Sequence, residues 1–467
     1  MSELCHLPAH QLVRLMSERT ISCRDVIEAH LARIDAVNPA LNALVQAADP
    51  QDCLQAAAAA DERAARGAAL GRAHGLPVVV KDVMLVAGLE CSGGSPALRA
   101  CSRDDATVVA RLRDEGAIVL GLTNVPEMGR GGESNNSLYG RTNNPFDLSR
   151  TPGGSSGGSA ALIAVGGAAL SVGSDGGGSI RQPSHNTGIA GLKPTHGRIP
   201  RTGSVFGDAW GIFGQFNCYG PLARSVRDLY LGLSIMNGPD LRDPYAVPAP
   251  LGDPDDVEVA NLRVAAYLDD GISPPDDDVA AVVTDAVRAL TEVAGSVEHD
   301  APACLGRTMT LLWESVFLGG DRGRGFEADL AALGVTDPSE ELAEFLKQAR
   351  DVDFSLSEAR TRLADLDAYR IEMLTFMADY DVIVGPAAPT AAKPHHHGLV
   401  EISDFSHLMV HNLTGWPAVV VRCGTSKEGL PIGVQIVARP WEDATALAVA
   451  AHLEKVFGGW RSPPMVG

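Results

Sequence analysis

The chain is short of lysine, of aromatic residues and of positive charge, and each shortage narrows the reading. Only six of its 38 basic residues are lysines: Lys81, Lys193, Lys347, Lys393, Lys427 and Lys455. Aromatic residues make up 5%, and the formal net charge of −20 argues against broad binding to nucleic-acid phosphates. The eight cysteines are scattered, with no C-x-x-C pair, so no disulfide framework is indicated. No apolar stretch is long enough to span a bilayer; the longest, "AALIAVGGAALSVG" (160–173), contains a glycine break. "MSELCHLPAHQLVRL" has neither the basic start nor the apolar core of a secretory signal. A cytoplasmic protein with reduced thiols is expected, and the N-x-S/T matches at Asn135 and Asn412 then carry no glycosylation meaning.

Core material is ample, at 45% hydrophobic against 21% charged residues. Its length suits two or three domains or one large α/β domain. "SCRDVIEAHLARIDAV" (22–37) places Ser22 and Asp25 at capping spacing, and Val26, Ile27, Leu31 and Ile34 on one helical face. The Ala-rich stretch 54–66 reads as a further helix. "LPVVVKDV" (76–83) and "AIVLGLTN" (117–124) read as buried strands around a helix over 105–115, which indicates α/β layering. Residues 125–220 turn to Gly, Ser, Asn and Pro, and so long a loop-rich stretch is usually functional. The acidic section 250–380 reads as mostly helical, including 278–294 and 356–379. Strand patterns return at 381–386, 417–424 and 432–438, before a helix over 443–456. The middle section reads as an insertion between two parts of one sheet.

Lys81 lies inside "GLPVVVKDVMLVAGL" (75–89), an apolar run. A desolvated lysine can lose its proton and act as a base, which arginine cannot. The plainer alternative is a strand end whose lysine snorkels to the surface beside Asp82.

The densest chemistry lies in "TPGGSSGGSAALIAVGGAALSVGSDGGGSIRQPS" (151–184). A phosphate cradle is one reading, but neither G-x-x-x-x-G-K-[ST] nor a strand-bound G-x-G-x-x-G occurs. Residues 153–157 match the G-x-S-x-G elbow, yet the "NNPFDLSRT" before them is turn-like rather than a strand. The third reading is geometric. A helix of about ten residues after Ser155, roughly 15 Å long, followed by a returning strand, brings Ser179 back to the level of Ser155. The glycines 176–178 leave backbone N–H groups free to converge as an oxyanion hole. No histidine, His185 included, sits in a recognisable triad context, and Lys81 is the candidate base.

"GLPVVVKD", "LGLTNVPEM", "YGRTNNP", "PGGSSGGSAA", "SDGGGSIRQPS", "GIAGLKPTHGRIPRTG", "GPLARSVRDL" and "LPIGVQIV" together resemble the amidase signature family, in order and at its spacing, from about residue 8 to 456. The likeness thins between 240 and 380. It implies one large α/β domain with a central mixed, twisted β-sheet covered by helices on both faces. The core would be 60–240 and 380–460, with 241–380 a variable, mostly helical section on the substrate side.

Motif by motif, the resemblance implies Ser179 as nucleophile, Ser155 as bridging serine after a cis peptide bond, and Lys81 as base. The N–H groups of Gly176, Gly177 and Gly178, with Ser179, would form the oxyanion hole. Met128, Gly129, Gly131, Phe206, Trp210 and Phe213 are expected at the substrate pocket. Two departures stand out: Ser174 where the family usually has Thr, and Gly176 where a Thr or Ile is common. The extra glycine is expected to loosen the loop or open space for bulky acyl groups. Asp175 and Arg181 are expected to brace the loop by a charged hydrogen bond.

The stretch 204–221 gathers Phe206, Trp210, Phe213, Phe216 and Tyr219, five of 23 aromatic residues. It reads either as a loop pinned by its own rings or as an aromatic flap over the acyl site, and Trp313 and Phe317 are candidates for the same pocket. "KPHHHGL" (393–399) reads as a rim loop rather than a metal site. The implied function is cleavage of amide C–N bonds, with esters and carbamates as further substrates and a preference for aryl or bulky apolar groups. No metal or organic cofactor is needed. The expected partner is a small-molecule substrate, without nucleic acid or membrane, and a homodimer is the assembly considered. The alternative is the amidase-type component of a glutamine-dependent aminoacyl-tRNA amidotransferase; a non-enzymatic binding role is a third option.

Overall fold

The computed structural model describes residues 3–209, 211–396 and 399–464. Strands β1 (Leu44–Ala47), β2 (Pro77–Lys81), β3 (Ile118–Thr123), β4 (Leu170–Asp175), β5 (Ala190–Lys193) and β6 (Cys218–Ala223) come from the first half of the chain. Strands β7 (Arg263–Ala266), β8 (Ser296–His299), β9 (Val382–Pro386), β10 (Ala418–Thr425) and β11 (Pro431–Ala438) come from the second. All eleven share one sheet in the order β1-β3-β2-β4-β6-β5-β10-β11-β9-β7-β8. The two halves meet where β5 pairs antiparallel with β10. Parallel pairs such as β2–β3 and β2–β4 sit beside antiparallel pairs such as β4–β6, so the sheet is mixed.

Helices cover both faces, and strand alternation shows it directly. On β10, Val419 and Val421 join one core, with the helices Cys23–Leu41, Gly157–Ala164 and Asp443–Phe457. Ala418 and Val420 point into a second core, with the helices Leu356–Phe376 and Ser406–Thr414. Strands buried on both faces need continuous apolar runs, and "PVVVK" in β2 and "LSVGSD" in β4 are buried at every position. The helix Cys23–Leu41 begins where expected, with the Asp25 N–H donating to Ser22 Oγ at 2.9 Å. The middle section is not helical throughout. It supplies β7 and β8, parallel to β9 and to each other, at one edge of the sheet. Between Met309 and Phe317 it also forms a π-helix. Among the described residues no helix is long and apolar enough to cross a membrane.

Candidate active site

Neighbouring parallel strands β2 and β4 end at Lys81 and Asp175, so side chains leaving their carboxyl ends share one crevice. Lys81 is fully buried. Its Nζ donates to Ser155 Oγ at 2.6 Å and to Ser174 Oγ at 2.9 Å, and it forms no ion pair with a carboxylate among the described residues. Asp82 faces away, accepting from the Ser92 N–H at 2.9 Å and from the Ser92 hydroxyl. The surface-snorkelling alternative is therefore excluded. Burial pulls the Lys81 ammonium down to about 7, against an opposing pull from the Asp175 charge. A lysine in that range is available as a neutral base at physiological pH.

Ser155 follows a cis peptide bond from Gly154. A Cβ on Gly154 would lie 2.7 Å from the Gly131 carbonyl oxygen, so glycine is what lets the 131–133 backbone close over the serine loop. Ser134 Oγ accepts the Gly157 N–H at 2.9 Å and donates to the Gly153 carbonyl at 3.2 Å. The Ser156 N–H donates to the Ser179 carbonyl at 3.2 Å, tying the two serine loops together. Asp175 braces the nucleophile loop as expected: its oxygens accept from the N–H groups of Gly178 and Ile180 and from Arg181 Nε and Nη2 at 2.9 Å each. Burial works to raise this carboxyl, but the Arg181 guanidinium outweighs it and holds it well below the usual carboxylate range. The expected oxyanion donors are not equivalent. The Gly178 N–H is committed to Asp175 Oδ1 at 2.8 Å, whereas those of Gly176, Gly177 and Ser179 have no acceptor among the described residues. Gly178 therefore acts here as part of the brace rather than as a free donor.

Ser155, Ser174, Gly176, Gly177 and Ser179 line a cavity of about 320 Å³. Its other walls include Met128, Gly129, Phe206, Phe213, Phe317 and Phe326. A smaller space of about 40 Å³ adjoins it, lined by Ser179, Gly131, Trp313, Phe317 and Phe345 among others.

The family model for amidases matches residues 25–447. The chain belongs to the amidase family. It is 34% identical over 473 residues to an acylamidase of Rhodococcus erythropolis, covering 96% of this chain and 95% of that one. It is 33% identical over 491 residues to the A component of the glutamyl-tRNA(Gln) amidotransferase of Chloroflexus aurantiacus, covering 98% of each. Among solved structures, that of 6-aminohexanoate cyclic dimer hydrolase complexed with substrate superposes with a TM-score of 0.86 at 26% identity and full coverage of both chains.

In this amidase-family chain the expected pocket residues Met128, Gly129, Gly131, Phe206 and Phe213 all line one of the two spaces, as do Trp313 and Phe317. Trp210 lies outside the described residues. Gly131 has a further role: a Cβ there would meet the Glu341 carboxyl at 2.3 Å, which accepts the Gly132 N–H at 2.8 Å. Two readings of the 204–221 stretch divide it between them. Phe216 and Tyr219 are core residues, 1% and 0% exposed, while Phe206 and Phe213 face the cavity. The expectation for Gly176 is corrected. The space opened by its missing side chain holds the Phe213 ring, whose Cζ would be 2.6 Å from a Cβ, so it admits protein rather than substrate.

His185 is buried and bonded to the Thr390 carbonyl at 3.0 Å and to the Gly433 backbone, and it lines neither space. His395 is buried, His396 is exposed and His397 lies outside the described residues. No group of three or more His, Cys, Asp or Glu among the described residues is placed to hold a metal ion. Sequence reasoning missed three participants. Ser174 was noted only as a departure, although it anchors the Lys81 amine. Phe326 sits in a helix with no motif. Arg130 left one signal, a lone cation between glycines in "EMGRGGE".

Proposed function

We propose that this chain is an amidohydrolase working through a Ser179 acyl-enzyme. The observation that carries the reading is the buried Lys81 amine, 2.6 Å from Ser155 Oγ, on a cavity that Ser179 also lines. Neutral Lys81 takes the Ser155 proton as Ser155 takes that of Ser179, and Ser179 Oγ attacks the substrate carbonyl. The N–H groups of Gly176, Gly177 and Ser179 stabilise the oxyanion. The proton returns through Ser155 to the leaving amine as the C–N bond breaks, and water then cleaves the acyl-enzyme by the same relay. Esters and carbamates suit the same acyl transfer, and the phenylalanines of the cavity favour aryl or bulky apolar substrates. The test is peptide-mapped mass spectrometry after fluorophosphonate treatment at pH 8. An adduct on Ser179 that weakens sharply in Lys81→Ala is expected; no adduct on Ser179 sinks the reading.

A second reading, as the amidase-type component of a glutamine-dependent transamidase, draws on the relatives of that name and on the cavity's two charges. Arg130 and Asp329 line it, and free glutamine carries one charge of each sign. Ammonia release from L-glutamine outpacing release from an aryl amide would favour it.

A further inference from the structure

Arg130 is an anomaly in an otherwise aromatic wall. Its guanidinium carbon lies 4.5 Å from the Phe326 ring centroid, 5.0 Å from that of Phe345 and 5.5 Å from that of Phe213. Packing against three rings holds the guanidinium without using its N–H donors. Among the described residues the side chain makes no hydrogen bond and no ion pair, and Nη1 is buried with no acceptor. Among the described residues Arg130 is the sole basic residue lining the larger cavity and the smaller one, and it belongs to both. Neither nearby carboxyl occupies its donors. Asp329 also lines the larger cavity, and its charge favours the protonated arginine from a distance, but it is exposed and forms no hydrogen bond or ion pair with it. Glu341, behind Gly131, is pushed up to about 8 by burial and by the neighbouring Glu133, which leaves it largely neutral at pH 7. A half-buried guanidinium with unspent donors is costly unless something anionic arrives. A carboxylate fits its fork, two oxygens against two N–H groups.

We infer that Arg130 is a specificity residue: the substrate carries a carboxylate, separated from its scissile carbonyl by an apolar segment, that pairs with this guanidinium. The aromatic wall takes the apolar segment and Arg130 takes its charged end. Substrates of this class are N-acyl amines with a carboxylate on the acyl chain or on the amine side. The inference rests on the amidohydrolase reading above.

Two substrate series test it. The first is the succinyl, glutaryl and adipoyl p-nitroanilides, each against the straight-chain acyl anilide of equal carbon number. The second is N-acyl amino acids against the N-acyl amines that lack the carboxylate. In at least one series the carboxylate compound is expected to exceed its neutral match by about tenfold or more in kcat/KM, mainly through KM. That ratio falls about tenfold in Arg130→Met and is partly kept in Arg130→Lys, which retains the cation without the fork. Using ratios within each variant removes any general loss from altered packing. A neutral preference in both series, or a ratio untouched by Arg130→Met, overturns the inference and leaves the arginine as a packing element.

Binding separates this outcome from failure of the amidohydrolase reading. Calorimetric titration of Ser179→Ala with the same pairs is expected to show tighter binding of the carboxylate member, lost when Arg130→Met is added. Equal binding of both members overturns the inference whatever the fluorophosphonate result; a carboxylate preference without a Ser179 adduct sustains it while the hydrolytic reading fails.

Discussion

The wall that carries Lys81, Ser155 and Ser174 is built on the adjacent parallel strands β2 and β4, which supply Lys81 and Ser174, and on the loop before the helix Gly157–Ala164, which supplies Ser155. The wall that carries Phe317, Phe326 and Phe345 hangs from the helices Met309–Phe317, Arg324–Ala332 and Glu340–Arg350. On the strand side the side chains at the relay are joined by hydrogen bonds of 2.6–2.9 Å and lie deep in the sheet. On the helical side the contacts are ring on ring, at centroid distances of 4.9–5.6 Å between Phe326, Phe345, Trp313 and Phe317. A relay tolerates little displacement because proton transfer needs hydrogen-bond distances. Ring packing is less directional, so one residue can be exchanged for another of similar volume at modest cost. On the function proposed above, reaction chemistry belongs to the sheet side and choice of substrate to the helical side.

The largest effect should come from the strand wall. Lys81→Ala is expected to lower kcat/KM by about 10⁴-fold on every substrate, as removal of one member of a catalytic unit commonly does, measured by steady-state kinetics on any anilide the wild type cleaves. The charge state of the same lysine sets a pH profile. Its active form is neutral, and the folded pKa is about 7. Hence kcat/KM rises roughly tenfold per pH unit below that value and levels above it. The sign for stability is distinct. The unfolded lysine keeps its ordinary value of 10.5, so between about 7 and 10.5 the unfolded chain binds more protons. This group's contribution makes the fold more stable as pH rises through that window and adds no pH dependence below it. Denaturant midpoints of wild type and Lys81→Met across pH 7–10 check it; the wild type should gain relative to the variant as pH rises.

On the helical wall, Phe317→Ala is expected to lower kcat/KM for an aryl amide about tenfold through KM, with a much smaller loss on acetamide. Equal losses on both substrates would erase the division between the walls. The smallest effect should come where the walls touch. Gly176→Ala drives a methyl into the Phe213 ring and should raise KM for aryl substrates about threefold. Adding Phe213→Ala should reverse part of that change, and a double-mutant cycle reads the coupling.

The strand wall was legible in the sequence because its residues sit in contiguous motifs whose glycines and serines have few other uses together. Scarcity of lysine drew attention to Lys81, but it would have drawn equal attention to Lys193. That second buried lysine donates to the Pro194 carbonyl at 3.0 Å and lines neither space at the site. Burial, which sequence pattern reveals, does not by itself distinguish a base from a packed lysine; the hydroxyl neighbours do, and those are brought by strand β4 and by the loop before the helix Gly157–Ala164. The helical wall was nearly illegible. Phe317, Phe326 and Phe345 follow no common spacing, and ordinary amphipathic helices place such rings in their own cores. Arg130 was passed over because its meaning depends on three rings from distant segments. The edge strands β7 and β8 were missed for a related reason: "RVAA" and "SVEH" are four-residue runs inside an acidic, helix-rich stretch, too short for their period to register.

The seam between β5 and β10 also bears on how the molecule is made. Lys193 there stands opposite Ala418, so during synthesis the first six strands exist long before their neighbour leaves the ribosome. For that interval β5 presents an unpaired row of backbone donors and acceptors, with apolar side chains beside it, and such an edge recruits other chains. Pairing so distant in sequence also slows the search for the native arrangement. Fragments ending before residue 418 should therefore be found in inclusion bodies rather than as folded half-molecules, and the yield of the intact chain should depend on temperature and on chaperone supply while the late strands emerge.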